Sequence, residues 1–415
     1  MANTFGSISS QAGILKTVFQ GPLKSQFNDE VPIFRGAAQG QHPWVGQQVN
    51  RPLKLRRNQG IGATTDGGVL PKVGRQLPVQ ATILAKYNYL RFGITGPLIA
   101  ASKNDTGAFV RGVKFELSEG YSDLKVDCGR QFSWDGTGDL ARVNTAASGS
   151  SVLVIKGRED NEPALKFIDV DLSFDIYTSA GVLVQSGITV SSISSGTAGS
   201  TTATLVCDQA ITCSANDILI RAGTGVSGEI QGLLTQLDGG TSTVYGIDRS
   251  LYVQSQGNVV YNTNDGTSTG TSLAFSLDAM QRVQDEAERR GGSGVNAFYC
   301  DYSTRRMFNK LIQVDRRYQS TTDGKGGFAN KGETYLAYNG IPIVADQACP
   351  VRMFALPKDD IEKYVLSEMD FADEQGEMLI AQTDTDAYEA RVRFFMNLFN
   401  SKAAASAVLT SYVAP

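Results

Sequence analysis

The chain carries few of the residue types that enzymatic catalysis usually requires. Its 415 residues include one histidine, His42, which precedes a proline in a Gly/Gln-rich stretch. Serine and cysteine nucleophiles usually need a histidine base, and catalytic zinc sites usually include a histidine ligand. His42 is better interpreted as a surface or contact residue. The sequence therefore predicts a protein that is not an enzyme.

The cysteines show no metal-binding or redox spacing. There are five of them, Cys128, Cys207, Cys213, Cys300 and Cys349. Their odd number and the absence of a CxxC pair predict buried, reduced thiols, although Cys207 and Cys213 could pair across a turn.

Three motifs resemble ligand sites but lack the necessary context. Residues 223–228 fit GxGxxG and precede Asp248 by about twenty positions, yet a dinucleotide site needs that loop to open a helix. The flanking segments are Ser/Thr-rich, so a cluster of β-turns is predicted instead. Asp169, Asp171 and Asp175 lack the spacing of a calcium loop and are predicted to face solvent on a strand. Residues 323–327 lack the phosphate-loop frame and are predicted to form a mobile surface loop. No cofactor or metal is predicted.

Two sets of opposite charge could instead hold copies of the chain together. The first flanks a turn-rich tip and comprises Lys54, Arg56, Arg57, Lys72 and Arg75. The second occupies one side of a helical segment and comprises Glu116, Glu119, Asp123 and Asp127. Each set could simply be solvated. The sharper hypothesis is that the tip of one copy lies over the acidic helix face of the next, because repeated ion pairs would fix the register between subunits.

The basic tip belongs to a predicted β-hairpin over residues 45–92. In its second arm Val79, Ala81 and Ile83 alternate with Gln80, Thr82 and Leu84. The first arm is less regular and contains Val49, Leu53 and Leu55. An isolated hairpin is marginally stable in water and needs a third surface. No compact domain follows directly, so another copy of the chain is the predicted cover.

The acidic set belongs to the clearest helical pattern in the chain, over residues 106–132. Apolar residues recur there every three or four positions: Phe109, Val113, Leu117, Tyr121, Leu124, Cys128 and Phe132. Gly112 and Gly120 lower the helix propensity, so packing must stabilise the helix. A turn over residues 134–138 is predicted to end it.

The rest of the chain divides into a β-rich part and a mixed part. Short branched runs separated by turn residues predict strands from about 150 to 262, including the Ser/Thr-rich piece 186–204. Beyond 270, Ser276 and Ser303 are predicted to cap helices, with Gly291 ending the first. Strands are predicted at 295–300, 341–345, 353–356 and 364–366, and extended segments at 388–399 and 405–412. A short helix near residues 14–19 and a flexible loop at 319–333 complete the prediction.

Composition limits the partners of the chain. The net charge of −4 argues against wrapping nucleic acid by bulk electrostatics, so contact with DNA is expected to be weak and non-specific. No apolar run reaches the roughly 20 residues of a membrane helix. A secreted β-rich adhesin would need a signal segment, which the first residues do not resemble.

In this order, the segments resemble the major capsid proteins of tailed double-stranded DNA bacteriophages. The resemblance covers nearly the whole chain and includes the turn at 133–138, the segments 229–233 and 246–249, and residues 338–346 with Pro350 and 354–356. It implies an α+β, Hong Kong 97-type capsid fold. The implied parts are an N-terminal arm (1–44), an extended E-loop hairpin (45–95), a long spine helix with the start of the peripheral domain (96–149), a β-rich peripheral domain (150–265) with an inserted β-subdomain near 165–222, a mixed α/β axial domain (266–385) and C-terminal strands (386–415).

The resemblance also implies a function. Such proteins self-assemble into hexamers and pentamers of an icosahedral head shell around packaged DNA, in the host cytoplasm, with portal and scaffolding proteins and sometimes a decoration protein as partners. An encapsulin-like cargo shell of the same fold is the alternative. Some relatives join an E-loop lysine covalently to a neighbouring subunit, and Lys72 is the candidate here, although no feature of the sequence identifies its partner.

Overall fold

The computed structural model describes most of the chain. It describes residues 31–40, 44–97, 106–197, 199–240, 242–292, 294–313, 336–357, 359–372, 380–381 and 385–413, with only the backbone described at 94 and 106–118. His42, the predicted helix near residues 14–19 and the predicted loops at 319–333 and 323–327 lie outside these ranges.

The described residues form helices and strands in the following order. The helices are α1 (Pro32–Gly36), α2 (Thr106–Ser133), α3 (Leu233–Leu237), α4 (Leu277–Gly291) and α5 (Tyr302–Gln313). The first ten strands are β1 (Ala38–Gln39), β2 (Gln48–Leu53), β3 (Val79–Leu84), β4 (Lys86–Thr95), β5 (Asp139–Thr145), β6 (Ala147–Lys156), β7 (Ser173–Tyr177), β8 (Leu183–Ser195), β9 (Thr202–Cys213) and β10 (Ile218–Arg221). The later strands are β11 (Thr243–Val244), β12 (Ile247–Asp248), β13 (Asn258–Tyr261), β14 (Leu273–Ala274), β15 (Ala297–Cys300), β16 (Leu336–Tyr338), β17 (Ile341–Ala345), β18 (Met353–Leu356), β19 (Ile361–Phe371), β20 (Ile380–Ala381), β21 (Ala387–Asn400), β22 (Ala407–Thr410) and β23 (Tyr412–Val413).

The predicted long helix is confirmed as α2, which spans 28 residues. In its described C-terminal half Leu124, Cys128 and Phe132 are buried, as the apolar periodicity predicts. They pack in one core with α1, α3 and the long strand β21. The turn that ends the helix is held by Asp135, whose carboxylate accepts a hydrogen bond from the Thr137 N–H at 3.0 Å.

A closed barrel follows α2. Its strands are arranged in the order β10-β5-β6-β9-β8-β7, and β7 pairs with β10 to complete the ring. The predicted strands of this region are confirmed, including the Ser/Thr-rich piece, which contributes to β8 and β9. The barrel also contains β5 and β6, so the closed unit runs from 139 to 221, whereas the subdomain expected from sequence begins near 165. A barrel leaves no unpaired sheet edge, and it encloses its own apolar core.

A six-stranded sheet with α4 and α5 forms the mixed part, in the order β13-β22-β18-β15-β17-β16. Ser276 caps α4 as predicted, with its hydroxyl accepting a hydrogen bond from the Ala279 N–H at 3.2 Å. The left-handed residue that ends α4 is Gly292, one position beyond the predicted Gly291. The cap of α5 is Asp301 rather than Ser303, because the Asp301 carboxylate accepts a hydrogen bond from the Ser303 N–H at 2.9 Å.

The longest strands form a separate ribbon. Strand β21 pairs with β19 on one side and with β4 on the other, and β1 and β20 complete the sheet. The hairpin and the six-stranded sheet both join the ribbon at the same end, because Lys86 at the start of β4 pairs with Met396 near the end of β21 that leads to β22.

Candidate assembly surface

The predicted hairpin is confirmed, but its base is covered by the chain's own body. Strands β2 and β3 pair over six residues each. Ala81 and Ile83 are fully buried against Tyr245, Tyr364 and Phe399, which come from much later segments. The expectation that another copy must cover the whole hairpin is therefore wrong for its base. Sequence reasoning missed this cover because it is supplied by residues 160 or more positions away.

Polar contacts reinforce the base of the hairpin. The Thr82 N–H donates to the Tyr245 carbonyl at 2.8 Å, which extends the hairpin ladder toward the β11–β12 turn. Arg51 forms an ion pair with Glu362 at 3.4 Å at the start of β19. Together these contacts hold the hairpin against the ribbon.

The tip of the hairpin, residues 54–78, has no comparable cover. It contains no strand. The backbones of its two arms approach each other closely, since a Cβ on Gly74 would lie 2.4 Å from the Gly60 nitrogen. The exposed fractions of its aliphatic side chains are 83% for Ile61, 95% for Val69, 76% for Leu70 and 101% for Val73. A cluster of exposed apolar residues marks an interaction site. The sequence signal that could have found it was the presence of aliphatic residues within a glycine-rich turn.

The five predicted basic contact residues are all exposed, and the structure divides them into two groups. Lys54, Arg56 and Arg57 line one groove with a volume of about 360 Å³. Lys72 and Arg75 lie on the other arm and do not line it. The guanidinium group of Arg56 stacks over the Tyr252 ring at 5.6 Å.

Sequence reasoning missed three further cations that line the same groove, Arg249, Arg290 and Lys402. Arg249 is buried and donates to the carbonyls of Thr235, Gln236 and Asp238 at 2.7–2.9 Å. Arg290 donates to backbone carbonyls and to the side-chain oxygen of Asn258. Burial lowers the pKa of both guanidinium groups from the usual arginine value. The hydrogen-bond partners of these two arginines are neutral, but Asp238 lies near Arg249 and Glu286 lies near Arg290, so part of their positive charge is offset.

The acidic helix face is only partly available for contact with another subunit. The side chain of Glu116 lies outside the described part of α2, Glu119 is half-buried and Asp123 is exposed. Asp127 accepts hydrogen bonds from Arg130 at 3.0 Å and from Gln131 at 2.8 Å, and Arg221 of the barrel lies at 3.4 Å. Burial would raise the pKa of Asp127, but the two arginines outweigh it and hold the pKa well below its usual range. Asp127 thus joins α2 to the barrel within one chain.

A second set of buried ion pairs joins the barrel to the mixed sheet. Arg158 pairs with Glu162 at 2.6 Å and stacks on the Trp134 ring at 4.1 Å. Lys166 donates to Glu162 at 3.1 Å and to the Cys349 carbonyl at 2.6 Å. Although burial raises the pKa of Glu162, Arg158 and Lys166 lower it overall to about 2. These residues form a charged junction that sequence patterns did not indicate.

The motifs that resemble ligand sites are structural. Residues 223–228 form turns with positive φ at Gly223 and Gly225, and no helix begins there, which confirms the predicted turn cluster. Asp175 was predicted to face solvent, but it is buried and accepts hydrogen bonds from the N–H groups of Gly187 at 2.8 Å and Gly223 at 3.1 Å. It thereby holds two barrel turns together.

Chemistry-bearing clusters are not found elsewhere in the described ranges. All five cysteines are buried free thiols, which confirms the prediction and leaves Cys207 and Cys213 unpaired with each other. No group of three or more metal-binding side chains occurs among the described residues. None of the described helices combines the length and the apolar character that crossing a bilayer requires.

Comparison with known proteins shows similarity in structure but not in sequence. No protein-family model matches the chain. No curated protein sequence matches it. Among solved structures, the capsid asymmetric unit of cyanophage A-1(L) aligns over 98% of this chain and 99% of that chain, with a TM-score of 0.60 and 12% identity. The capsid of the native GTA particle aligns over 99% and 100% with a TM-score of 0.52 and 8% identity, and that of the empty GTA particle over the same shares with a TM-score of 0.53 and 8% identity.

These alignments span nearly the whole length of each chain, so the similarity concerns the complete architecture. The expected α+β capsid fold is confirmed at this level. The chain has the fold of a bacteriophage capsid subunit.

Proposed function

We propose that this chain is the major capsid protein of a tailed double-stranded DNA bacteriophage, with a structural rather than an enzymatic role. Its copies assemble into hexamers and pentamers that tile an icosahedral head shell around packaged DNA. The observation that carries the proposal is the capsid fold over nearly the entire chain. The four exposed aliphatic side chains of the tip support it, because a surface of this kind needs a partner.

In this proposal each part of the fold has a role in the shell. The hairpin of β2 and β3 with its tip is the E-loop that reaches a neighbouring subunit, and α2 is the spine helix. The barrel is an elaboration of the peripheral domain, and the mixed sheet with α4 and α5 is the axial domain around the capsomer axis. Portal, scaffolding and decoration proteins are the expected partners, with non-specific contacts to DNA and final localisation in the virion.

Electron microscopy of the purified recombinant protein tests the proposal. We expect hexamers, pentamers or closed shells in a preparation at micromolar concentration. A variant with Ile61, Val69, Leu70 and Val73 all changed to serine serves as a control that should remain folded but fail to assemble. A wild-type chain that stays monomeric at every concentration and with scaffolding protein present would contradict the proposal.

The contents of native particles distinguish the phage head from an encapsulin-like cargo shell. Particles purified from the natural source should contain nuclease-protected double-stranded DNA of uniform length. Particles that enclose a single enzyme and no DNA would overturn the phage assignment, while the shell-forming role would stand.

A further inference from the structure

The outermost strand of the ribbon, β4, is paired on one side only. It spans ten residues, and all ten pair with β21 without an irregularity in register. Within the described ranges no strand lies on its other side, and no backbone hydrogen bond joins it to a segment other than β21. None of residues 86–93 is fully buried. Because a strand directs its N–H and C=O groups alternately to its two sides, about half of those of β4 are available to a second strand.

The length of this edge sets β4 apart from the other outer strands of the two open sheets. In the ribbon β1 and β20 have two residues each, and in the mixed sheet β13 and β16 have four and three. Proteins usually prevent pairing at an edge with short strands, bulges, prolines or free charges. Strand β4 has no proline and no bulge, and its one lysine, Lys86, donates to the Ser227 carbonyl at 2.6 Å. The edge is therefore not protected against pairing.

The exposed face of β4 is aromatic at one end and carries an arginine near the other. Tyr87 and Tyr89 are 59% and 57% exposed, and both contact the Phe395 ring edge-on, at 5.0 and 5.3 Å. Arg91 lies next on the same face, and its Nε and Nη2 donate to the Glu389 carboxylate at 2.8 and 2.9 Å. The carboxylate engages the edge of the planar guanidinium, so its flat faces remain available for stacking on an aromatic ring. Gly93 follows, without a side chain.

These four residues match a second, antiparallel copy of themselves. With Leu90 opposite Leu90 of the second copy, Tyr89 lies opposite Arg91 and Tyr87 lies opposite Gly93, and symmetry repeats each pair. An arginine over a tyrosine ring is favourable, and an aromatic side chain covers the bare backbone of a glycine on a neighbouring strand. An axis at Arg91 would instead place two arginines opposite each other, which is unfavourable. The residue pattern therefore selects an axis at Leu90.

We propose that β4 pairs antiparallel with β4 of a second copy of this chain across a two-fold axis, which joins two ribbons into one continuous sheet. The inference rests on the proposed shell-forming function and names one contact between its subunits. Main-chain hydrogen bonds supply the affinity of such added strands. A two-fold contact uses the same surface on both partners, whereas a ring uses two different surfaces on each subunit. The contact therefore joins subunits of neighbouring hexamers or pentamers.

Disulfide trapping tests the pairing and its register. Opposite residues of antiparallel strands have Cα atoms about 4.5–5.5 Å apart, within the range that a disulfide bridges. Position 89 lies opposite position 91 of the second copy, whereas equal positions are offset by two residues and lie about 8 Å apart, beyond that range. Oxidation should therefore cross-link a mixture of Tyr89→Cys and Arg91→Cys chains into dimers, but neither variant alone. The wild-type chain, whose five cysteines are all buried free thiols, is the control.

A charged edge tests whether assembly depends on the pairing. Tyr89→Lys places a lysine opposite Arg91 of the second copy on both sides of the axis, where like charges repel. It should raise the protein concentration required for assembly about tenfold or more, which corresponds to 1.4 kcal/mol. Leu183→Lys is the matched control, because Leu183 is 50% exposed on β8, a strand that pairs on both sides. It should leave that concentration unchanged, and thermal unfolding of the unassembled subunits checks that both variants fold.

The outcomes separate this contact from the proposed function. Normal shells in which the cysteine mixture gives no cross-linked dimers would overturn the inference and leave the proposed function intact. Cross-linking by Tyr89→Cys alone would overturn the axis at Leu90. Assembly of Tyr89→Lys at the wild-type concentration would show that the shell does not use this edge. Cross-linked dimers of a chain that never forms shells would support the contact and contradict the proposed function.

Discussion

The barrel (139–221) and the tip of the hairpin (54–78) differ in how far they bury their apolar side chains. Each barrel strand pairs on both sides, and the barrel encloses residues such as Phe174, Ile188 and Leu205 with no exposed surface. The tip has no strand, and it leaves Val69 and Val73 almost entirely exposed. Four of the five most exposed large apolar side chains among the described residues lie in the tip, which shows where apolar surface is least covered. The barrel buries its apolar residues by folding alone, whereas the proposed function requires another subunit to cover the tip.

The largest expected difference between the two regions concerns core substitutions. Phe174→Ala should lower the free energy of unfolding by about 3–5 kcal/mol, because it leaves a cavity in a fully packed core. Val73→Ala should change it by less than about 0.5 kcal/mol, since nothing packs on that side chain in the subunit. Chemical denaturation of the unassembled subunit measures both values. Equal destabilisation by the two substitutions would show that the tip is packed within the subunit.

The junction that joins the barrel to the mixed sheet should depend on pH. Because the folded state lowers the pKa of Glu162 from 4.5 to about 2, it binds fewer protons than the unfolded state, so its stabilising effect is present above pH 4.5 and is lost as the pH falls toward 2. Glu162→Gln should therefore cost about 3 kcal/mol at pH 7 and much less near pH 2–3. Denaturation at a series of pH values measures the difference.

An exposed ion pair provides the control for that experiment. Glu286→Gln removes the pair with Arg289 on the surface of α4 and should cost no more than about 1 kcal/mol. A Glu162 variant whose cost stays constant from pH 7 to pH 2.5 would contradict the assigned role of the buried pair. The tip has no buried ion pair within the described residues, so its stability should show no such dependence.

A smaller effect is expected when one tip side chain becomes polar. Val73→Ser should leave the unfolding transition of the subunit unchanged but weaken assembly by about 1–2 kcal/mol per contact, the value for covering part of an aliphatic side chain. Light scattering against protein concentration measures this change. Leu183→Ser, at an exposed position of the barrel, is the matched control. If both variants assemble alike, the tip is not the contact surface.

The smallest effect is expected where the two arms of the tip approach each other. Gly74→Ala introduces a Cβ 2.4 Å from the Gly60 nitrogen, so the arms must separate. Because the tip adds little to the subunit core, we expect a stability change below about 1 kcal/mol but faster trypsin cleavage after Lys72 and Arg75. Gly199→Ala, with no neighbouring atom within 4 Å of the new Cβ, should leave cleavage unchanged. Unaltered cleavage of the Gly74 variant would show that the arms do not need this close approach.

Sequence patterns predicted the elements whose signals are local. The stripe of Leu124, Cys128 and Phe132 predicted α2, because one helix face must be apolar to be buried. Ser276 predicted the start of α4 through its capping hydroxyl. At α5 two polar residues, two positions apart, could each form the cap, and the carboxylate of Asp301 forms it in place of Ser303. The capping pattern thus predicted the start of α5 to within two residues but did not identify which of the two polar residues forms the cap.

Features that depend on distant residues were not predicted. Closure of the barrel requires β10 to pair with both β5 and β7, and alternation within each strand does not reveal which strands are neighbours. Asp175 has the sequence context of a surface acid, yet the turns at Gly187 and Gly223 supply the N–H groups that make its burial possible. The predicted basic residues were found at the surface, but the arginines beside them in the groove come from segments about 200 positions later.

The sequence by itself determined the order of hairpin, long helix, β-rich region and mixed region, because each of these elements has a local pattern that needs no distant partner. The capsid fold was indicated by the resemblance of that order to the bacteriophage capsid proteins. Tertiary structure decided which surfaces remain uncovered, since burial depends on contacts between segments far apart in the chain. It covered the base of the hairpin with Tyr364 and Phe399 and left the tip exposed.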